Sequence, residues 1–294
     1  MEYTTLNSYL KERFGCKVYK LSLDGGFTCP NRDGTLGTKG CIFCSKGGSG
    51  DFAENRKLDI TAQIEKAKLK VKNKIKDGKY IAYFQAFTNT YAPADKLKEL
   101  YMQAVNHPDI VALSIGTRPD CLGEDVLDVL DEINKIKPVF VELGLQTINE
   151  TTAKYIRRGY SLNVYDKAVE NLHKININVV THIILGLPGE NVDDMLKSVE
   201  YVCKVTDGIK LQLLHVIKGT DLAEEYMQGK FEVLSLEEYT DIIKRCVKII
   251  PKSVVIHRLT GDGAKRDLIA PLWSADKKRV LNTINKALNE KEQL

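Results

Sequence analysis

Cys29, Cys41 and Cys44 stand in the spacing Cys-x11-Cys-x2-Cys, inside a loop rich in Gly, Asn and Asp. Thiolates bind soft metals, and a Cys-x2-Cys knuckle places two sulfurs on one centre. Three cysteines with no obvious fourth suit a four-iron cluster with one iron left open. Structural zinc takes four protein ligands, and here the fourth would be Cys16 or a distant residue. Spacing alone leaves an iron–sulfur site, zinc or no metal. The other cysteines, Cys121, Cys203 and Cys246, are scattered. In a reducing cytosol an odd seven cysteines form no disulfide framework.

Other polar residues follow short apolar runs. They are Gln85, Thr88, Asn89 and Thr90, then Thr117, Arg118 and Asp120, then Gln146. His182 precedes Gly186-Leu187-Pro188-Gly189, and His215 closes a later run. A lone strand histidine is usually a satisfied core residue, and Arg157-Arg158 alone reads as surface charge. The recurrence at successive run ends is what suggests one shared catalytic mouth. Gly34-Thr-Leu-Gly37-Thr-Lys-Gly40 lacks phosphate-loop spacing, and neither GxGxxG, GxSxG nor HExxH occurs.

Elements must bring these groups together. Six runs read as strands: Val18–Leu23, Tyr80–Phe87, Ile110–Gly116, Val139–Leu145, Asn178–Leu185 and Ile209–Val216. Most are near-continuous in apolar residues, as in parallel strands buried on both faces. Helical periodicity fills the intervals, for example Ile60, Ile64, Ala67, Val71 and Ile75. Six βα units in series form either an open doubly wound sheet or a complete or partial barrel. Both gather function at the carboxyl ends of the strands. After Lys218 the rhythm changes to a helix over Leu236–Ile250, an apolar run Val254–Leu259, a Gly-rich charged turn and a final helix over Ala275–Asn289. The expected division is a core of residues 1–218 and a C-terminal α+β extension, 219–294, docked on it.

The 294 residues are 43% hydrophobic and 28% charged, with a formal charge of +4. That composition excludes disorder, collagen-like sequence and a disulfide miniprotein. No apolar run approaches the roughly 20 residues that span a bilayer, and Met1 to Arg13 carry no signal-peptide block. A cytoplasmic protein without a membrane partner is expected. Lys66, Lys68, Lys70, Lys72, Lys74 and Lys76, spaced by two, wrap around a helix as a solvated surface or a phosphate-binding face.

Cys41-Ile42-Phe43-Cys44 resembles the terminal Cys-x-aromatic-Cys of the radical S-adenosylmethionine (radical SAM) superfamily. The long interval from Cys29 departs from the common CxxxCxxC and is similar to the Elongator-catalytic-subunit-like branch. Val141–Thr147, Arg157-Arg158-Gly159-Tyr160 and Ile183–Glu190 resemble consecutive segments of that branch. Ser22–Gly34, Phe84–Tyr91 and His257–Gly263 are similar to YhcC/YtqA-type radical SAM proteins.

The resemblance implies an α/β fold, a partial (β/α)6 barrel with a [4Fe-4S] cluster at its top on Cys29, Cys41 and Cys44. SAM would chelate the fourth iron and yield a 5′-deoxyadenosyl radical. By the same likeness Phe43, Gln85, Asn89, Thr117, Arg118, Gln146, Arg158, His182, Gly186 and Leu187 would contact SAM. His182 stands where a related enzyme, the oxygen-independent coproporphyrinogen oxidase, carries an acidic SAM contact. Gln85 and Thr88–Thr90 replace the usual glycine-rich element. The implied function is remodelling of a tRNA wobble-uridine side chain, carboxymethylaminomethyl toward aminomethyl. Its partners would be tRNA and a reductant such as flavodoxin or ferredoxin. His215, Arg258, Lys265 and Arg266 are the candidate substrate contacts. No acetyltransferase domain is expected. A radical SAM enzyme of a small metabolite and a zinc-stabilised RNA-binding module are the alternatives.

Overall fold

The computed structural model describes residues 3–48, 50, 53–75, 78–261, 263 and 265–290. Lys76 and Asp262, singled out in the sequence, lie outside the described residues. The chain opens with helix α1 (Leu6–Phe14) and strand β1 (Val18–Leu23). It continues α2 (Ile60–Val71), β2 (Lys79–Phe84), α3 (Ala94–Val105), β3 (Ile110–Thr117), α4 (Glu124–Ile136) and β4 (Val139–Gln146). Then come α5 (Glu150–Tyr155), α6 (Leu162–Lys174), β5 (Asn178–Leu185), α7 (Val192–Cys203) and β6 (Gly208–Leu213). The remainder is β7 (Val216–Ile217), α8 (Asp221–Met227), α9 (Leu236–Ile249), β8 (Val255–Arg258), β9 (Leu268–Ala270) and α10 (Lys277–Asn289).

Strands β1 to β6 pair in chain order, all parallel, and β8 adds a seventh beside β6. The order never reverses, which excludes the doubly wound alternative. Lys210 of β6 lies 3.2 Å from the Tyr83 hydroxyl of β2, four strands away. Flat, that separation would be about 19 Å at the usual strand spacing. The sheet is therefore curled into a partial barrel.

Alternation along each strand divides the two faces. Outward residues such as Leu23, Phe84, Leu113, Val141, Ile183 and Leu211 pack against Leu97, Tyr101, Leu130, Leu172 and Val199 of the helices. The inward face is layered. At the amino end Val18, Ile81, Ala112, Phe140 and Val180 close on Leu10 of α1 as an apolar plug. The next layer is polar, with one residue from each strand β1 to β6: Lys20, Tyr83, Ser114, Glu142, His182 and Lys210. The strands alternate on the inside more than their apolar content suggests.

Strand ends mostly match expectation. Strand β2 stops at Phe84, before Phe87 turns into the left-handed region with φ 60°. The last run splits, because β6 ends at Leu213 and β7 pairs antiparallel with β9. Helix α1 begins on a Thr5–Ser8 capping box and ends on Gly15 at φ 68°, where a left-handed residue favours glycine. The Ile256 amide donates to the Thr4 carbonyl, so the N-terminus braces β8.

Leu10→Ala should cost about 2–5 kcal/mol, the range for emptying a packed apolar site. Urea unfolding checks it, and a loss under 1 kcal/mol would show that the plug collapses around the smaller side chain.

Candidate active site

The cysteine loop follows β1 and has little regular structure of its own. Two side chains shape it. Asn31, buried, donates to the Arg157 carbonyl at 2.8 Å and to Cys41 Sγ at 3.4 Å. Arg32 donates from Nη2 to the carbonyls of Cys44 (3.0 Å) and Ser45 (2.7 Å) and lies over the Phe87 ring. Gly40 has φ 78°, and a Cβ there would come within 2.9 Å of Arg32 Nε. Backbone bonds from Ile42 N to Ile156 O and from Leu222 N to Ile42 O pin the knuckle between α5 and α8.

Cys29, Cys41 and Cys44 are free thiols on the wall of one cavity. Among the described residues, the one His, Cys, Asp or Glu triplet with ligand atoms all within 4.8 Å is Glu65, His107 and Asp109. Three thiols on one wall, an all-sulfur donor set, fit an iron–sulfur cluster with one iron left open. Burial, then the Cys44 thiol, push Cys41 up to about 12 against the pull of Arg118, so it ionises only with a strong local cation such as bound iron. The Glu65 triplet is already bridged, because Lys68 Nζ reaches Glu65 at 2.8 Å and Asp109 at 2.7 Å.

Phe43, Gln85, Thr117, Arg118, Gln146, Arg158 and His182 border the same cavity. Asn89, Gly186 and Leu187 do not. Asn89 is buried and donates to the Gly116 carbonyl at 2.7 Å, holding the β2–α3 loop to β3. Gly186 backs onto Leu234, and Leu187 is packed in the second apolar cluster. Arg158 is 1% exposed and three of its nitrogens are engaged, by Tyr160 O (2.9 Å), Thr147 O (2.7 Å) and Glu150 Oε1 (2.8 Å). Its guanidinium and that of Arg118 both lie over the Tyr160 ring, at 4.9 and 5.1 Å. Arg118 is forked onto Asp120 at 2.9 and 2.7 Å. Arg157 pairs instead with Asp221 of α8 at 2.5 Å. Gln146 and Phe87, both lining the cavity, hold φ of 68° and 60°, strain of the kind that collects at functional sites.

The floor is the polar layer, which sequence reasoning missed. Glu142 has no exposed side-chain surface. It accepts from Lys20 at 2.5 Å, Ser114 at 2.6 Å, His182 Nε2 at 2.9 Å and Lys210. Gln212 Nε2 reaches His182 Nδ1 at 3.2 Å, which fixes the histidine as the Nε2–H tautomer. Burial raises the Glu142 carboxyl, but Lys20 and Lys210 more than offset it and hold it well below the carboxylate range. Burial lowers His182 to about 4, so it is neutral near pH 7. Burial also draws Lys210 down to about 7, against Glu142. A charged residue in the middle of an apolar run, as Glu142 and Lys210 both are, was the available signal.

The substrate candidates divide. Arg258 borders the cysteine cavity. His215 packs under the loop, where a Cβ on Gly261 or Gly263 would come within 2.8 or 3.4 Å of its ring. Lys265 and Arg266 line a separate groove with Lys20, Lys70, Lys74 and Lys277. Thus one end of the lysine-rich segment meets the C-terminal basic segment. Lys66 and Lys70 also converge on Glu54, while Lys68 turns to Asp109.

Residues 31–202 match the radical SAM superfamily profile, and residues 206–290 match the radical SAM C-terminal domain. The chain is 48% identical to protein YtqA of Bacillus subtilis (strain 168), over 98% of this chain and 90% of that protein. It is 31% identical to the tRNA uridine(34) acetyltransferase of Methanocaldococcus jannaschii, over 52% of this chain and 28% of that one. In fold it is similar to an archaeal Methanocaldococcus infernus Elp3 lacking its N-terminus, with TM-score 0.67 and 20% identity, over 89% of this chain and 63% of that one. No helix among the described residues is long and apolar enough to cross a membrane.

Glu142→Gln takes the shared carboxylate from Lys20 and the buried Lys210 and should cost about 3–5 kcal/mol at pH 7. The folded carboxyl lies below its unfolded value near 4.5, so its contribution is complete above that pH and fades as pH falls through the folded value. Denaturant unfolding of wild type and variant should converge only in strong acid. Equal stabilities at pH 7 would dismiss the network.

Proposed function

The chain belongs to the radical SAM superfamily, and on that premise we propose that it modifies tRNA, remodelling a wobble-uridine carboxymethylaminomethyl side chain toward aminomethyl in the cytoplasm. As a radical SAM enzyme it uses a [4Fe-4S] cluster and SAM. In this reading Cys29, Cys41 and Cys44 hold the cluster. Cluster and SAM, with an electron from a donor such as flavodoxin or ferredoxin, would supply 5′-deoxyadenosyl radical chemistry at this site. The chain's own residues shape the site. Asn31 and Arg32 fix the thiol loop. Arg118, Arg158 and Tyr160 form a cationic wall suited to the SAM carboxylate. Gln146 and His182 line the cavity as neutral hydrogen-bonding groups.

The observation that carries the RNA reading is the basic groove. Lys70 and Lys74 meet Lys265, Arg266 and Lys277, nearly 200 residues away in the chain, with Glu54 as the acidic residue on its walls. Folding that gathers separate cations on one surface suits a phosphate backbone. The M. jannaschii relative, named for tRNA uridine 34, supports the position.

Anaerobic incubation with reductant, SAM and bulk tRNA, followed by nucleoside mass spectrometry, tests the reading. Carboxymethylaminomethyl uridine should fall and aminomethyl uridine rise. SAM cleavage with unchanged tRNA nucleosides would shift the substrate to a small metabolite. Cys29→Ala, Cys41→Ala and Cys44→Ala should each lose most of the iron, whereas Cys203→Ala and Cys246→Ala retain it. Full iron in Cys41→Ala would defeat the ligand assignment. Lys74→Ala and Lys265→Ala should each flatten the log–log salt dependence of tRNA binding by about 0.9, one phosphate contact apiece. Unchanged slopes would remove the groove from the interface.

A further inference from the structure

Among the described residues, five cationic side chains and one carboxylate border the cysteine cavity: Arg32, Arg118, Arg158, Lys210 and Arg258, with Glu142. Arg32 is spent on loop carbonyls, and Arg118 and Arg158 are paired with Asp120 and Glu150. These stand on the cysteine side. At the floor two ammonium groups, Lys20 and Lys210, share the single carboxylate of Glu142. His182 and His257, beside them, are held neutral by burial. The floor thus sets two amino groups against one carboxylate in a place water barely reaches, since the Lys210 side chain is 5% exposed, and an anion bound there would hold Lys210 charged against the burial that draws it down. A buried surplus cation is costly unless an anion meets it.

Lys210 is built to meet one. Of its three donors, one goes to Glu142 and one to the Tyr83 hydroxyl at 3.2 Å. The third has no partner fixed by these bonds. Gln212, two residues along β6, borders the same cavity, with its Nε2 turned to His182 Nδ1 at 3.2 Å. A point charge with one donor, next to a neutral amide, suits a single carboxylate. It is a poor match for a polynucleotide backbone, whose phosphates meet exposed cations at the rim. Lys20 stands differently, since it holds Glu142 from the groove side and does not border this cavity.

We propose that Lys210, braced by Glu142 and Tyr83, is a specificity-determining contact that receives a carboxylate of the substrate at the barrel floor. The identity of that carboxylate rests on the wobble-uridine reading, in which it is the end of the carboxymethylaminomethyl group. The subsite itself rests on the floor geometry.

The test compares anticodon stem-loops carrying carboxymethylaminomethyl uridine or its near-isosteric carboxamide, in which the charge is lost and one acceptor oxygen becomes an NH2 donor. Binding is measured anaerobically to the cluster-loaded protein. Wild type should favour the carboxylate by roughly 10- to 150-fold, the range for one charge-assisted contact. Lys210→Met should lose most of that preference while keeping its iron content and far-UV spectrum. Lys20→Met, which also strips an ammonium from Glu142 but leaves Lys210 in place, should keep more of the preference than Lys210→Met does. If Lys210→Met does not fold, Lys210→Gln, which keeps a polar donor without the charge, takes its place and should lose the preference likewise. Equal binding of the two stem-loops by wild type, or a preference that survives in Lys210→Met, overturns the subsite. If wild type converts the tRNA nucleoside yet binds both alike, the subsite falls and the tRNA reading stands. If it converts nothing but still prefers the carboxylate, the tRNA reading falls and the subsite stands.

Discussion

A carboxylate with no exposed surface ties the barrel together. Glu142 of β4 draws Lys20 from β1, Ser114 from β3, His182 from β5 and Lys210 from β6 to a single point. Such a charge is unstable alone and can be kept only where several donors converge. Ser114 and His182 come from the strands flanking β4, but Lys20 and Lys210 come from β1 and β6 beyond them, so satisfying Glu142 and curling the sheet are one event. The apolar plug beneath, around Phe140 and Leu10, needs only area burial and can form with any curvature. The polar layer demands this one.

The cavity above inherits that geometry. Inward positions one step above the layer are Gly116 on β3 and Gly144 on β4, and both border the cavity. With no side chains there, room is left under the thiols. The long connection from β1 to α2 would be expensive to order without return, and long irregular loops inside a compact domain are usually functional. Its cysteine segment is held by Asn31 and Arg32, which spend donors on backbone carbonyls and on one thiol. Left-handed backbone at Phe87, Gln146 and Arg157 stands around the same mouth. Regular structure supplies the floor, and local strain supplies the rim.

The cysteine triad, the six strands and the family were legible because each is a local pattern. Spacing, periodicity and motif order survive without knowledge of the fold. What escaped notice depends on contacts across the barrel. Lys20, Glu142 and Lys210 are single charges inside apolar runs, and nothing within any one run shows that they meet. Arg157 and Arg158 are adjacent in sequence, yet one turns to Asp221 and the other to the cavity wall. Asn89, expected near SAM, is instead a buried clamp on Gly116. The evenly spaced lysines part company for the same reason, since acids at Glu54 and Asp109 pull neighbouring turns in different directions. Strand β8 looked like part of an appendage, but its amides are satisfied by continuing the barrel sheet.

Lys20 joins the two regions that the proposed function needs. It lies on β1, the edge strand at which the barrel stays open, and it lines the basic groove. Its ammonium nevertheless reaches inward to Glu142 and Ser114. The groove and the floor are therefore two sides of one wall, one turned to solvent and one to the cavity. In the tRNA reading this divides the work by dielectric. Phosphates meet exposed cations, where each contact is weak, screened and additive. The reacting side chain meets buried groups, where one charge decides between substrates because little water competes. A polymer can then be held firmly without its backbone entering the barrel, and selection is left to the few atoms that do.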